Sequence, residues 1–497
     1  MNNTLQIGWA EVDITPGKPI RLAGQFYERI SEYAETPISA TALAIENGAD
    51  QVVFCSVDLE SIDPCLPELV REAIGQQPGG PDPDKIVISA THTHTSFVYQ
   101  GKHDPGLQAL RQYLGEDALA EPTEEASTPA REDVLSPEEA TVFLAERITR
   151  AVREAWGGRA PGLYRCAFGR AAVGMCRRVC YRDGSARMWG DTNRSDFDAL
   201  EGGNDSGIEL LFTYDKSRRP TGAVVNLSCP AQVLEQRYLV SSDFWGKVKI
   251  LLRRELGEDF RVLALCAPAG DQCPRDLVRW VEPESPIEDP NVVRQNPPLR
   301  RADPSMYDVQ GTWTIGRRIA SEILAVLGEA GRLSAEAELR HRALTLELPL
   351  RRVSEEENRE ARQMLARFAA ERRGREVSFV DSAAMHVYAG VAARFDRQQR
   401  ESLVPCEIHV IRLGDVAFAT SPFELFLDYA NVIRARSVSA QSFLVQLACD
   451  SKGYLPTEKA EQGGHYSAYV SSGHVGHEGG RLLVERTLEL IDELFRA

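Results

Sequence analysis

The chain has 497 residues, 43% of them hydrophobic, which is enough for a sizeable core, and carries a formal net charge of −16. That acidic balance argues against nucleic acid, whose phosphates need a basic footprint, and against anionic membrane surfaces. No apolar run approaches a membrane span, and the opening MNNTLQIGWAEVDITPG lacks the basic and apolar regions of a secretory signal, so the expected compartment is the cytoplasm.

Near the start, Asp13-Ile14-Thr15-Pro16-Gly17 is a turn signal. Residues 40–45 and 51–57 flank Asn47-Gly48 and read as a hairpin-like pair of strands. A short helix is expected over 66–74, then a loop over 76–84. Ile86-Val87-Ile88 reads as a buried strand that runs out through Ser89-Ala90-Thr91 into His92 and His94. Residues two apart in a strand share a face, so persisting extended geometry would aim both imidazoles into one space. Residues 104–135 are acidic and read as a surface insertion. Ser136 and Glu139 form a capping box that opens a helix to about Trp156.

Strands are expected within 163–215 and over 222–228 and 261–266, with a helix between the last two at about 244–256. Residues 277–308 read as a long functional or lid-like loop. Helices are expected at about 311–328, at 354–373 (opened by a second box, Ser354 with Glu357) and at 480–495. Residues 407–413 and 416–420 form a hairpin across Gly414-Asp415, and 443–447 a further strand. The ten cysteines are scattered without a CxxC pair, as expected of reduced core thiols. No internal repeat and no clean linker is visible. The expected fold class is α/β: one large mixed-sheet domain with flanking helices over 1–497, interrupted by insertions at about 104–135 and 277–308.

Polar groups gather where strands end: Thr91 to His94, Asn226 to Gln232, Gly270 to Cys273, Thr420 to Glu424, and Gly453-Tyr454. Sites assembled from several strand ends are common in α/β enzymes. Histidine with glutamate is the donor set of catalytic zinc. Each residue also has a plainer reading. His92 could be a hydrogen-bonded strand-end histidine, Glu424 the cap of the following helix, Cys273 a buried inert thiol, and Arg177 one of a solvated arginine pair.

THTHTS after an apolar strand, DITP near the start, GD-x-C-P after a strand, SP-F-E after a hairpin, and Tyr454 with Tyr466 occur in an order that resembles the neutral/alkaline non-lysosomal ceramidases, in their N-terminal catalytic domain. The resemblance implies a neutral-ceramidase-like fold and a zinc amidase that cleaves an N-acyl bond. It implies His92, Glu424 and Tyr454 as metal ligands, with His94 beside the substrate and Tyr454 also near the oxyanion. Arg177 and Tyr466 would face the polar end of the substrate, and Asp271 and Cys273 belong to the loop of the proposed nucleophile. The chain departs from the family where a second metal-binding His is replaced by Pro230, with Gln232, Asp243, His465, His474 and His477 as candidate substitutes; a site short of one imidazole would favour harder ions. The bulk of Thr95-Ser96-Phe97-Val98-Tyr99 would narrow the pocket, and no C-terminal immunoglobulin-like domain is expected.

The expectation is thus a metal-dependent hydrolase of linear amides, using Zn2+ or another divalent ion on a small polar substrate rather than ceramide, with a homo-oligomer left open. The alternatives are a non-catalytic ligand-binding relative with a degraded metal site, and a carbohydrate-active hydrolase or lyase using Asp271, Glu424 and Asp243.

Overall fold

The computed structural model describes residues 4–76, 78–99, 133–279, 308–372 and 379–496. It opens with three antiparallel strands in sequence: β1 (Gln6–Asp13), β2 (Ser39–Glu46) and β3 (Gln51–Val57). The chain then crosses through helix α1 (Cys65–Gly75) to β4 (Ile86–Ala90), which pairs in parallel with β3. A polar loop and helix α2 (Pro137–Gly157) follow.

The same order recurs twice. Strands β5 (Leu163–Cys176), β6 (Asp205–Tyr214) and β7 (Pro220–Leu227) are antiparallel neighbours, and helix α3 (Asp243–Leu256) leads to β8 (Arg261–Cys266), parallel to β7. Helix α4 (Asp308–Leu327) closes this unit. In the third unit β9 (Leu339–Pro349) is followed by helices α5 (Glu355–Arg372) and α6 (Phe379–Arg397) before β10 (Leu403–Leu413) and β11 (Val416–Thr420). Helix α7 (Leu427–Arg436) then leads to β12 (Gln441–Val445), parallel to β11. A short helix α8 (Glu458–Gly463) and the long α9 (His477–Arg496) end the chain. The chain therefore does contain an internal repeat, of topology: three strands, a helix, a parallel strand, a loop and a helix. The copies share a pattern of apolar and polar faces but not their side chains, so the sequence hides it.

The inner faces of the three sheets bury one another. Phe54 and Val87, Val224 and Leu263, and Phe418 and Phe443 meet in one cluster. Each outer face is covered by its own two helices: α1 with α2, α3 with α4, and α7 with α9. With both faces covered, the central strands read as continuous apolar runs, and β4 is buried at every residue. Polar side chains then tie sheet to sheet. Asn226 donates to the carbonyls of Leu265 (3.2 Å) and Leu444 (2.8 Å), and Ser56 Oγ donates to Ala264 O (2.5 Å).

The mixed α/β class is as expected, and most helix ends fall within a few residues of the expected ones. Both capping boxes form. The last strand stops at Val445, because Leu447 and Cys449 take positive φ values of 52° and 59°. Apart from their edges, the insertions expected at about 104–135 and 277–308 lie outside the described residues. Among the described residues, no helix is long and apolar enough to cross a membrane.

Candidate active site

Loops that follow the parallel strand pairs enclose a cleft of about 760 Å³, lined in part by Glu60, His92, His94, Glu424, Tyr454 and Tyr466. The first unit gives Glu60 after β3 and the two histidines after β4. The third gives Glu424 after β11 and the tyrosines after β12. A short parallel pairing, Glu424 opposite Tyr454, sets these two side by side.

His92 leaves the strand geometry, with φ of +64°, an uncommon conformation for a residue other than glycine and one that concentrates at functional sites. Its Nδ1 donates to Glu60 O at 2.5 Å. That bond places a proton on Nδ1 and turns Nε2 to the cleft, 3.2 Å from Glu424 Oε2. The two imidazoles do share one space, but through a turn rather than a strand: their centroids lie 4.8 Å apart at 86°, with His94 Nε2 3.4 Å from His92 Nε2. Gly24 lies flat against the His94 ring at φ +93°, where a Cβ would come within 2.5 Å of the ring carbon Cγ.

Burial opposes a charge on His92, but Glu424 and Glu60 outweigh it and raise the pKa. Burial and the neighbouring His92 push His94 well below its usual value. Tyr454 is pushed well above the usual phenol range, by burial and then by Glu424, so it stays a protonated donor. Arg177 NH2 approaches Tyr454 OH (3.4 Å) and Glu424 Oε2 (3.8 Å), while its NH1 donates to Gln232 Oε1 at 3.1 Å. Tyr454 and Tyr466 meet edge to face at 5.5 Å. Behind them the fully buried Arg178 pairs with Glu201 (2.5 Å) and donates to Tyr466 O (2.9 Å), fixing that segment.

The structure thus brings His92, His94, Glu424, Tyr454 and Tyr466 to one cleft, with Arg177 behind them rather than on the wall. Arg177 is not a solvated arginine; it is 3% exposed. Asp271 and Cys273 are not brought to the lining. Asp271 Oδ1 accepts from Leu427 N at 2.9 Å, capping α7 from another unit, and burial raises its pKa to about 6. Cys273 Sγ is buried, donates to Arg275 O, and is pushed by burial up to about 12, far from a reactive thiolate. Glu424 does not cap α7 through its side chain. Phe97 and Tyr99 turn into the first unit's core instead of narrowing the cleft, which only Val98 of that run lines.

No expected substitute takes the place of the absent histidine. Gln232 is held by Arg177. Asp243 accepts from Leu234 N and Phe244 N. His465 accepts from Met188 N, and His477 is paired to Glu461. His474 lines the cleft but faces Arg397. The acid that does arrive is Glu235, whose Oε2 is 3.6 Å from His94 Nδ1. Glu235 follows Pro230 in the same loop. Neither it nor Glu60 is among the residues the sequence singles out, because no motif marks them. The signal was their place after the third strand of a unit, where Glu424 also stands.

Glu424 Oε2 is buried and makes no well-aligned hydrogen bond, yet lies 3.2 Å from His92 Nε2, a nitrogen–oxygen donor pair that fits a divalent cation once Nε2 gives up its proton. His94 does not close a compact third corner. Among the described residues, the set of three whose donor atoms all lie within 4.8 Å of one another is Glu407, His409 and Cys449, in the third unit. There Arg71 already donates twice to Glu407, at 2.9 and 2.5 Å.

No family model matches the sequence, and no curated protein does. Solved structures do match. Neutral ceramidase from Pseudomonas aeruginosa superposes with a TM-score of 0.65 at 16% identity, over 99% of this chain and 75% of that one. The fold is that of neutral ceramidase. A second structure, a ceramidase complexed with C2, matches with the same TM-score at 14% identity and the same coverage. The neutral ceramidase fold covers all three units, so the resemblance read from short ordered motifs extends to the whole architecture.

Proposed function

We propose that this chain is a metal-dependent hydrolase that cleaves an amide, N-acyl bond in a small polar substrate. The observation that carries the reading is the buried Glu424 Oε2, without a well-aligned hydrogen bond and 3.2 Å from His92 Nε2. His92 and Glu424 would hold the ion, with the Tyr454 hydroxyl beside them. When bound, a divalent cation polarises a carbonyl and lowers the pKa of water. The protonated Tyr454 phenol supplies a hydrogen bond to the oxygen of a tetrahedral intermediate. His94 is neutral at rest; it would take the proton of the attacking water at a ring nitrogen, its transient charge offset by Glu235 at 3.6 Å, and pass that proton to the leaving amine. Arg177 holds the Glu424 and Tyr454 side chains in place.

The carboxylate-only reading loses two of its acids, since Asp271 and Asp243 are both turned onto backbone amides. Elemental analysis of protein purified without chelator or nickel resin tests the proposal, alongside hydrolysis of a panel of N-acyl compounds that includes ceramide. About one divalent ion per chain, lost together with amide hydrolysis in His92→Ala, is the expected result. An ion-free and inactive parent protein would sink it.

A further inference from the structure

One wall of the cleft comes from α6. His386, Gly390, Arg394 and Arg397 line it, at spacings that put them on one helix face. At one end this face meets the tyrosines: His386 packs on Phe26 (4.7 Å), Phe26 on Tyr466 (5.7 Å), and Tyr466 on Tyr454 (5.5 Å). Arg394 lies two turns further along, roughly 12 Å by helix rise.

Arg394 is 7% exposed. Its NH1 makes one long hydrogen bond, to His474 O at 3.4 Å, and among the described residues no carboxylate lies within ion-pair range. Its cationic neighbours are each matched: Arg397 with Glu401 (2.6 Å), Lys452 with Asp450 (2.8 Å), and Arg351 with Glu461 (3.6 Å). His474 is held neutral, its pKa pushed down to about 3 by burial and by Arg394 and Arg397. Burial, with Arg397 and Arg351 close by, lowers Arg394 itself to about 10, while Glu401, which is paired to Arg397, pulls the other way. A mostly buried guanidinium on the cleft wall, with no ion pair of its own among the described residues, has planar donors that suit a carboxylate or phosphate.

We propose that Arg394 anchors an anion subsite, so that the substrate of this cleft carries a small oxyanion, carboxylate or phosphate, roughly 12 Å from the tyrosine end of the cleft. The anion subsite stands on the α6 geometry, and its link to an amide substrate rests on the hydrolase reading above.

Calorimetric titration of inorganic phosphate and of succinate into the parent, Arg394→Gln, Arg394→Lys and His92→Ala proteins separates the two. The parent is expected to bind at least one of these anions saturably, and whichever binds identifies the group. Binding should weaken about tenfold or more in Arg394→Gln, recover in part in Arg394→Lys, and persist in His92→Ala. No binding by the parent, or equal binding by Arg394→Gln, overturns the subsite and leaves the hydrolase reading standing. Anion binding by a parent that holds no metal and cleaves no amide sinks the hydrolase reading alone. If Arg394→Gln does not fold, protection of Arg394 in the parent against phenylglyoxal gives the same decision: protection by the bound anion supports the subsite, and no protection overturns it.

Discussion

Two regions of this molecule each pair two imidazoles with a carboxylate, and they do opposite things with them. In the cleft, His92 and His94 meet beside Glu424, and a carboxylate oxygen and an imidazole nitrogen (Glu424 Oε2, His94 Nδ1) are buried without hydrogen bonds. Between the first and third units, His341 and His409 form a closed chain. Gln51 O accepts from His341, whose Nε2 meets His409 Nδ1 at 2.9 Å; His409 Nε2 reaches Glu407 at 2.7 Å, and Arg71 completes Glu407. Cys449 Sγ, 3.8 Å from His409 Nε2, also receives Arg71. Residue types do not separate the candidate site from a structural cluster. What separates them is whether the polar atoms already have partners.

The largest test of that contrast is His92→Ala. Activity should fall roughly a thousandfold or more, while the melting temperature stays close to that of the parent stripped of metal by a chelator, the comparison that takes out the stabilisation a bound ion itself supplies. A matching loss of stability would place His92 with the structural cluster. Arg71→Met should do the reverse. It leaves Glu407 with His409 alone and should cost about 2 kcal/mol, less than a fully buried pair because the two side chains are 18% and 31% exposed, with kcat per folded molecule unchanged.

Acid should act on the same cluster. Burial opposes a charge on Glu407, but His409 and Arg71 hold its pKa well below the ordinary 4.5. Burial, with His409, pushes His341 well below 6.5. Both folded-state pKa values lie below the unfolded ones, so the unfolded chain takes up more protons as pH falls. The stabilisation is complete above about pH 6.5 and lost on acidification, first through His341 and then through Glu407. Melting curves from pH 8 to 3 should therefore show a gap between parent and Arg71→Met that narrows toward low pH. The smallest effect is expected of Cys273→Ser, less than about twofold in kcat/KM, since its Sγ lies off the cleft wall and a serine hydroxyl can keep the bond to Arg275 O.

The strands, their polar ends and both capping boxes were legible in the sequence, because periodicity and caps are local. The motif order carried the fold as well. His341, His409 and Arg71 drew no notice, since a satisfied network leaves no local mark. Glu60 and Glu235 were passed over for a related reason: their role depends on which loops face one another, and that follows from strand pairing over long separations. Helix α6 was not expected, yet it supplies a wall of the cleft. Asp271 shows the opposite error, a residue in a suggestive motif whose side chain is spent on the amide of Leu427 in another unit.

The triple recurrence of one topology also bears on how such a site can change over time. Each unit anchors its loops in a sheet covered by its own helices, so an exchange in one loop need not disturb the aim of the other two. In the middle unit, Pro230 sits a few residues from Glu235, which reaches His94 from the same loop. A scaffold of this kind permits drift one loop at a time: chemistry can be rewritten in one third of the protein while inheritance holds in the rest.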